Sequence, residues 1–281
     1  MDLGQNLGKS FGYARKLFSD LGRYIILLIL DIIPIVNLIV LGYMGRVIQT
    51  TPTTEDPPKL ERYGDLFIDG LKIVVATIIY MIIPLIIFAI GAGSLIGGLV
   101  GMGMSGGLGG FALTGFGALL ILVGFIVAII VAVFSVIGIA HMLKTNNFGK
   151  AFAFGEIRAI IGRIGWGTYI VWIILIVIIA VLWGGIVGGL NVVVPFLGTI
   201  IGAILGPAVA VFYGRSIGLI YNDGAPDYTR SYPVAAPPSA PGMYPPPPPP
   251  APAAASGFCM NCGARLQPHH KFCPSCGQPV K

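Results

Sequence analysis

Charge is scarce in this chain, and its placement says more than its amount. Only 10% of the 281 residues are Asp, Glu, Lys or Arg, against roughly 25% in soluble domains. From Ile73 to Leu143 there is none, and from Ile164 to Gly214 there is none again. A bilayer core about 30 Å thick takes ~20 apolar residues of helix. Each uncharged run is long enough for two spans, whereas helices buried in soluble cores rarely exceed one such length. A mean hydropathy of +0.89 agrees. A soluble fold is excluded.

Other absences narrow the function. Cysteine is missing until the last 23 residues, which hold all four, so no disulfide framework holds the apolar part. No nucleophile–base pair, H-E-x-x-H or G-x-S-x-G is present, and we expect no enzyme. No signal peptide is expected either. The first apolar run begins late, Asp31 and Pro34 interrupt it, and no A-x-A-type site follows. The net charge of +6, from 17 basic and 11 acidic residues, is scattered between apolar runs. That suits bases flanking spans, not a nucleic-acid groove.

The chain opens with Leu3, Leu7, Phe11, Ala14, Phe18, Leu21 and Ile25 in steps of three and four, one helical stripe with Lys9, Arg15, Lys16 and Arg23 off it. Residues 1–23 read as an amphipathic helix lying on an anionic leaflet. Tyr24 to Arg46 is apolar enough to enter a bilayer, yet holds Asp31, Pro34 and Asn37 at its middle. Pro34 lacks the N–H that continues a helix and disfavours helical geometry at Ile33. Asn37 can bond the freed backbone groups.

Spans are expected at about 71–90, 119–143, 167–189 and 195–213. Trp166, Tyr169 and Trp172 near one end of the third of these, and Trp183 near the other, read as interface anchors. Twelve of the 27 residues in 91–117 are glycine. Gly93, Gly97 and Gly101 are four apart, as are Gly198, Gly202 and Gly206, and each set offers a close-packing face. Met102 to Gly110 is glycine-rich enough to predict a flexible loop. Tyr63-Gly64-Asp65-Leu66 before Lys72-Ile73 is echoed by Phe154-Gly155-Glu156-Ile157 before Arg163-Ile164, which we read as a repeated interfacial elbow. His141 reads as interfacial and Arg215 as the exit of the last span.

Sidedness follows from the bases. If 24–46 spans once with the N-terminus cytoplasmic, thirteen bases fall outside, against the positive-inside rule. With the N-terminus outside, four are translocated. If the segment turns back at Pro34, all 17 are cytoplasmic. Two stretches of ten residues suit such a re-entrant hairpin. Asp31 and Asn37 are then a possible intramembrane polar site or part of the turn itself.

Residues 223–257 contain twelve prolines and form a semi-rigid spacer without a core. Beyond it, Cys259-x-x-Cys262-Gly263 and Cys273-x-x-Cys276-Gly277 supply four thiolates, the tetrahedral set of closed zinc sites. A module of residues 258–281 is too small to fold on its own core, so binding Zn²⁺ supplies its folding energy. Two disulfides are the alternative for an extracytoplasmic tail. His269 and His270 read as turn residues. Arg265, Lys271 and Lys281 make the module basic, but no groove-reading element accompanies them, and nucleic acid is not the expected partner.

Several short motifs point to a family. They are Ile33-Pro34-Ile35-Val36-Asn37, Leu41-Gly42-Tyr43 with Arg46, Tyr63-Gly64-Asp65-Leu66-Phe67 with Asp69-Gly70-Leu71-Lys72, and Ala151-Phe152-Ala153-Phe154-Gly155-Glu156. Over about residues 10–220 the chain resembles a prokaryotic, mostly archaeal, integral membrane family known as domain of unknown function 4013. The resemblance implies a multi-span protein with no assigned activity or catalytic residues.

The expectation is an all-α polytopic membrane protein. It comprises an interfacial segment (1–23), a helical membrane domain (24–222) with a Pro-broken re-entrant hairpin and four spans, a Pro-rich linker (223–257), and a zinc ribbon of short β-hairpin knuckles (258–281). Its expected setting is the plasma membrane with both termini cytoplasmic. The best functional expectation is a non-enzymatic anchor or scaffold presenting the ribbon to a cytoplasmic protein. The alternative is a small-solute transporter or channel using Asp31 and Asn37.

Overall fold

The computed structural model describes residues 2–105, 108–225, 261, 272 and 275–277. The chain divides into two compact units, 1–235 and 236–281. In the first, eight α-helices run in order: α1 Leu3–Arg15, α2 Leu21–Ile32, α3 Leu38–Thr50, α4 Tyr63–Ser105, α5 Leu108–Thr145, α6 Phe154–Ile164, α7 Trp166–Val193 and α8 Leu197–Gly224. Two short 3₁₀ turns, Lys16–Ser19 and Phe148–Phe152, join neighbours.

Four of these helices, α4, α5, α7 and α8, are long and apolar enough to cross a membrane. They pair as two hairpins, α4 with α5 and α7 with α8. Both hairpins return to one end of the molecule, where α1, α3 and α6 pack around them. Burial along α7 is limited to Tyr169 and Trp172. Burial along α5, apart from Gly117 and Gly124, is confined to 137–145. The protein core therefore sits at this end. Beyond it the spans present Ile78, Ile86, Ile129, Val177 and Val181 outward, as helices facing lipid do.

The glycine run departs from expectation. Of the stretch from Met102 to Gly110 expected as a flexible loop, the described residues are helical: α4 continues to Ser105 and α5 starts at Leu108. At 1.5 Å per residue α4 is about 64 Å long, and it runs unbroken through Pro84. Pairing with α5 along its length accompanies α4 to that end.

The glycines that set the packing are seven apart. A Cβ on Gly98 would sit 2.5 Å from the Thr114 nitrogen, and one on Gly117 2.7 Å from the Gly91 oxygen. Gly124 meets the Phe88 ring. Of the expected set, Gly93 has nothing within 4 Å, Gly97 meets Leu113 at 3.6 Å and Gly101 meets Gly110 at 3.8 Å. On α8, Gly198 lies against the Val187 carbonyl, Gly202 against the Val187 side chain at 3.5 Å, and Gly206 against Asp31.

The two elbow motifs fold differently. Tyr63 to Ile73 is the uninterrupted first part of α4. Phe154–Ile164 is a separate helix, because Gly165 takes φ +93°, a left-handed-side conformation glycine alone adopts readily, and redirects the chain into α7. Leu66 and Ile157 nonetheless occupy matching roles, both fully buried.

Candidate functional site

Residues 24–46 are broken where the sequence predicts. α2 ends at Ile32, Ile33 is extended, Ile35 has φ +72°, and α3 begins at Leu38. Asn37 closes the break: its Nδ2 donates to the Asp31 carboxylate at 2.5 Å and to the Asp31 carbonyl at 3.1 Å. The other carboxylate oxygen faces α8, where only a glycine at 206 leaves room for it. The segment also turns back. Arg23 at the start of α2 and Tyr43 in α3 both donate to the Pro58 carbonyl, at 3.0 and 2.7 Å. Asp31 and Asn37 thus bond each other within the turn around Pro34.

Two close crossings hold α3 on α4. The carbonyl of Leu66 occupies the space over Gly42, and the carbonyl of Leu38 the space over Gly70. Both glycines belong to the motifs that carried the family resemblance. α1 covers only Leu3–Arg15 of the expected 1–23 segment, and a 3₁₀ turn separates it from α2 at Leu21. Asn6, Ser10, Tyr13, Ala14 and Leu17 are buried, while Phe11, Phe18 and Leu21 of the apolar stripe are exposed. Much of the stripe is exposed, and polar groups make the contact with α8.

That contact belongs to a buried polar network which the sequence reading missed. Asn6 donates to the Ser216 carbonyl and accepts from Ser216 Oγ at 2.6 Å, and the Trp172 indole donates to the same Oγ at 3.0 Å. Tyr169 donates to the Val133 carbonyl at 2.6 Å. Tyr169 and Trp172 are therefore core residues, while Trp166 remains 43% exposed.

Thr51 is the network's centre. Its carbonyl accepts from Lys144 Nζ and from Asn222 Nδ2, and its hydroxyl accepts from Arg215 Nη1 at 3.2 Å. Arg215 also donates to the Thr54 carbonyl at 2.9 Å and lies 4.5 Å from the centroid of the Tyr13 ring, a cation–π contact. Burial pushes the Tyr13 hydroxyl's pKa up. Arg215 and Lys144 are 7% and 9% exposed, and among the described residues neither has a carboxylate within ion-pair distance. Backbone carbonyls solvate both cations and pin residues 51–54 to the ends of α5 and α8.

A second branch ties α6 to α5. His141 is fully buried, with one ring nitrogen 2.7 Å from Tyr221 Oη and the other 2.7 Å from Glu156. Lys150 donates to the other Glu156 oxygen at 2.5 Å. Lys150 first and His141 second hold the Glu156 carboxyl below its usual range. The signal for this branch was in the sequence: Lys144 and Arg215 are the first charges after the two uncharged runs, and His141 lies one turn before Lys144. What periodicity hides is that the ends of both runs meet.

Of the four ribbon cysteines, Cys259, Cys262 and Cys273 lie outside the described residues, as does the Pro-rich stretch from 226. Cys276 is exposed in a turn, and Gly277 after it takes φ +71°. That left-handed glycine directly after the second cysteine fits a C-x-x-C-G knuckle folding around a metal. Among the described residues no three metal-ligating side chains come together.

None of the curated proteins and none of the solved structures matches this chain. Two family profiles do. A zinc-ribbon domain matches residues 258–280. The family described as "Protein of unknown function (DUF4013)" matches residues 25–203, well over half the chain, from α2 into the first turns of α8. With the broken helix, the Gly42 and Gly70 crossings and the residues His141, Lys150 and Glu156 inside that range, the chain belongs to the DUF4013 family and carries a C-terminal zinc-ribbon domain.

Proposed function

We propose that the protein is a non-enzymatic membrane anchor that holds a zinc-loaded ribbon at the cytoplasmic face of the plasma membrane, where the ribbon contacts a protein partner. One observation carries this reading: the elements bearing basic residues all build one end of the membrane unit. Lys16 pairs with Asp56, Arg23 bonds Pro57, Arg46 bonds Glu61, Lys72 reaches Asn146, and Lys150 pairs with Glu156. By the positive-inside rule that end is cytoplasmic. α8 finishes there at Gly224, so the Pro-rich tether departs from that side. Cys259, Cys262, Cys273 and Cys276 would hold Zn²⁺, and the metal would supply the ribbon's fold.

The transport reading has less support. Asp31 and Asn37 bond each other at the Pro34 turn, and the charged network is filled by the protein's own carbonyls. The anchor reading is tested by crosslinked pull-down of full-length protein, of Cys262→Ser and of a chain ending at 235. The expected outcome is one zinc per wild-type chain and a set of partners recovered only with it. Recovery of the same partners by both variants would refute the role of the ribbon.

A further inference from the structure

The exposed stripe of α1 does not end at a flat surface. Leu7, Phe11, Ala14 and Phe18 form one wall of a groove of about 780 Å³ whose other walls are Ile179 and Trp183 of α7 and Leu205 to Tyr213 of α8. That volume lies within the roughly 300–1,000 Å³ of small-molecule sites. Its lining is almost wholly apolar, and two polar groups stand out. Arg15 is the one charged side chain in the lining, is exposed, and among the described residues forms neither a hydrogen bond nor an ion pair. The Tyr213 hydroxyl is buried and has no hydrogen-bond partner among the described residues.

We propose that this groove seats an acyl chain of an anionic membrane lipid, with Arg15 binding the headgroup phosphate. The groove lies between spans of a membrane protein, so lipid is the solvent it meets. An apolar slot selects a chain. An unpaired guanidinium beside it selects a phosphate, and basic residues on an amphipathic helix favour anionic lipids over zwitterionic ones. Lys16, the adjacent base, is already taken by Asp56 at 2.7 Å, which leaves Arg15 as the headgroup ligand.

Gly8 gives a clean way to block the site. It lines the groove, and a Cβ there would meet nothing within 4 Å, so Gly8→Leu fills the slot without displacing backbone. The test uses full-length protein in phosphatidylcholine liposomes doped with phosphatidylglycerol or phosphatidylcholine bearing a diazirine on one acyl chain. Photolabelled peptides of α1 and α8 are quantified against the exposed Ile129–Ile130 face of α5. The expected result is about fivefold more groove labelling by the anionic probe, the preference one basic group confers at an anionic surface. Arg15→Gln is expected to bring the anionic probe down to the zwitterionic level. Gly8→Leu is expected to abolish groove labelling by both probes and leave the α5 face unchanged. Equal labelling of the groove by the two probes in the wild type, or unchanged labelling in Gly8→Leu, overturns the proposal. Absence of label from the groove with both probes overturns it too, and assigns the groove to a protein occupant.

Discussion

Gly42 and Gly70 are residues where a single methyl group would do great damage. Each receives a backbone carbonyl of the neighbouring helix in the space a Cβ would fill, and backbone cannot rotate away as a side chain can. Gly42→Ala is expected to destabilise the protein by about 3 kcal/mol, the upper range for overpacking, read as a lowered Tm in detergent. Gly64→Ala is the matched control: nothing lies within 4 Å of its Cβ, and the gain in helix propensity should leave Tm unchanged or slightly raised. Glu156 gives a pH test. Its carboxyl is held below the ordinary value of 4.5 by Lys150 and then His141. The stabilisation is therefore complete above the ordinary value and lost as pH falls through the lower folded one. Melts from about pH 6 down to pH 3 should lose Tm less steeply in Glu156→Gln than in wild type. The side chain is 34% exposed, so solvent screening keeps the difference small.

Among the elements, the α4–α5 hairpin is held by bare backbone. Without a hydrophobic drive between helices in lipid, close van der Waals approach is what associates them. Gly91, Gly98, Gly117 and Gly124 provide it. Gly117→Val is expected to separate the two helices, because its Cβ would lie 2.4 Å from the Leu95 nitrogen, whereas Gly115→Val faces open space. Spin labels on the exposed Leu99 and Phe111 should report a longer distance in the first variant and the wild-type distance in the second. This element also shows where sequence reading stops. The uncharged runs reveal four spans, and Pro34 reveals the break, because both are properties of the chain's own chemistry. Which glycines pack is a property of a pair: four-residue spacing singles out Gly93, Gly97 and Gly101, but the crossing of α4 and α5 selects a seven-residue set. Glycine content likewise suggests a loop at 102–110, whereas pairing with α5 carries α4 on to Ser105.

At the scale of the molecule, two hairpins share one core at their polar end and face lipid beyond it. His141 and Lys144 sit near the end of one span and Arg215 near the end of another, and sequence places each at a boundary without showing that the boundaries meet. Folding brings Lys144 and Arg215 to Thr51 and His141 to Tyr221 of α8, with Asn6 and Tyr13 of α1 completing the cluster. The same assembly joins the N-terminal helix, the 51–58 loop and the end of α8 on one side, which requires residues 24–46 to turn back. The direct test is thiol accessibility in cells, with Lys9→Cys, Thr53→Cys and Gly103→Cys introduced singly in a background whose four ribbon cysteines are serine. All three positions are exposed. An impermeant maleimide should label Gly103→Cys in intact cells, and Lys9→Cys and Thr53→Cys only after permeabilisation. Labelling of Lys9→Cys together with Gly103→Cys in intact cells, with Thr53→Cys protected, would mean that residues 24–46 cross the membrane, and would contradict the account.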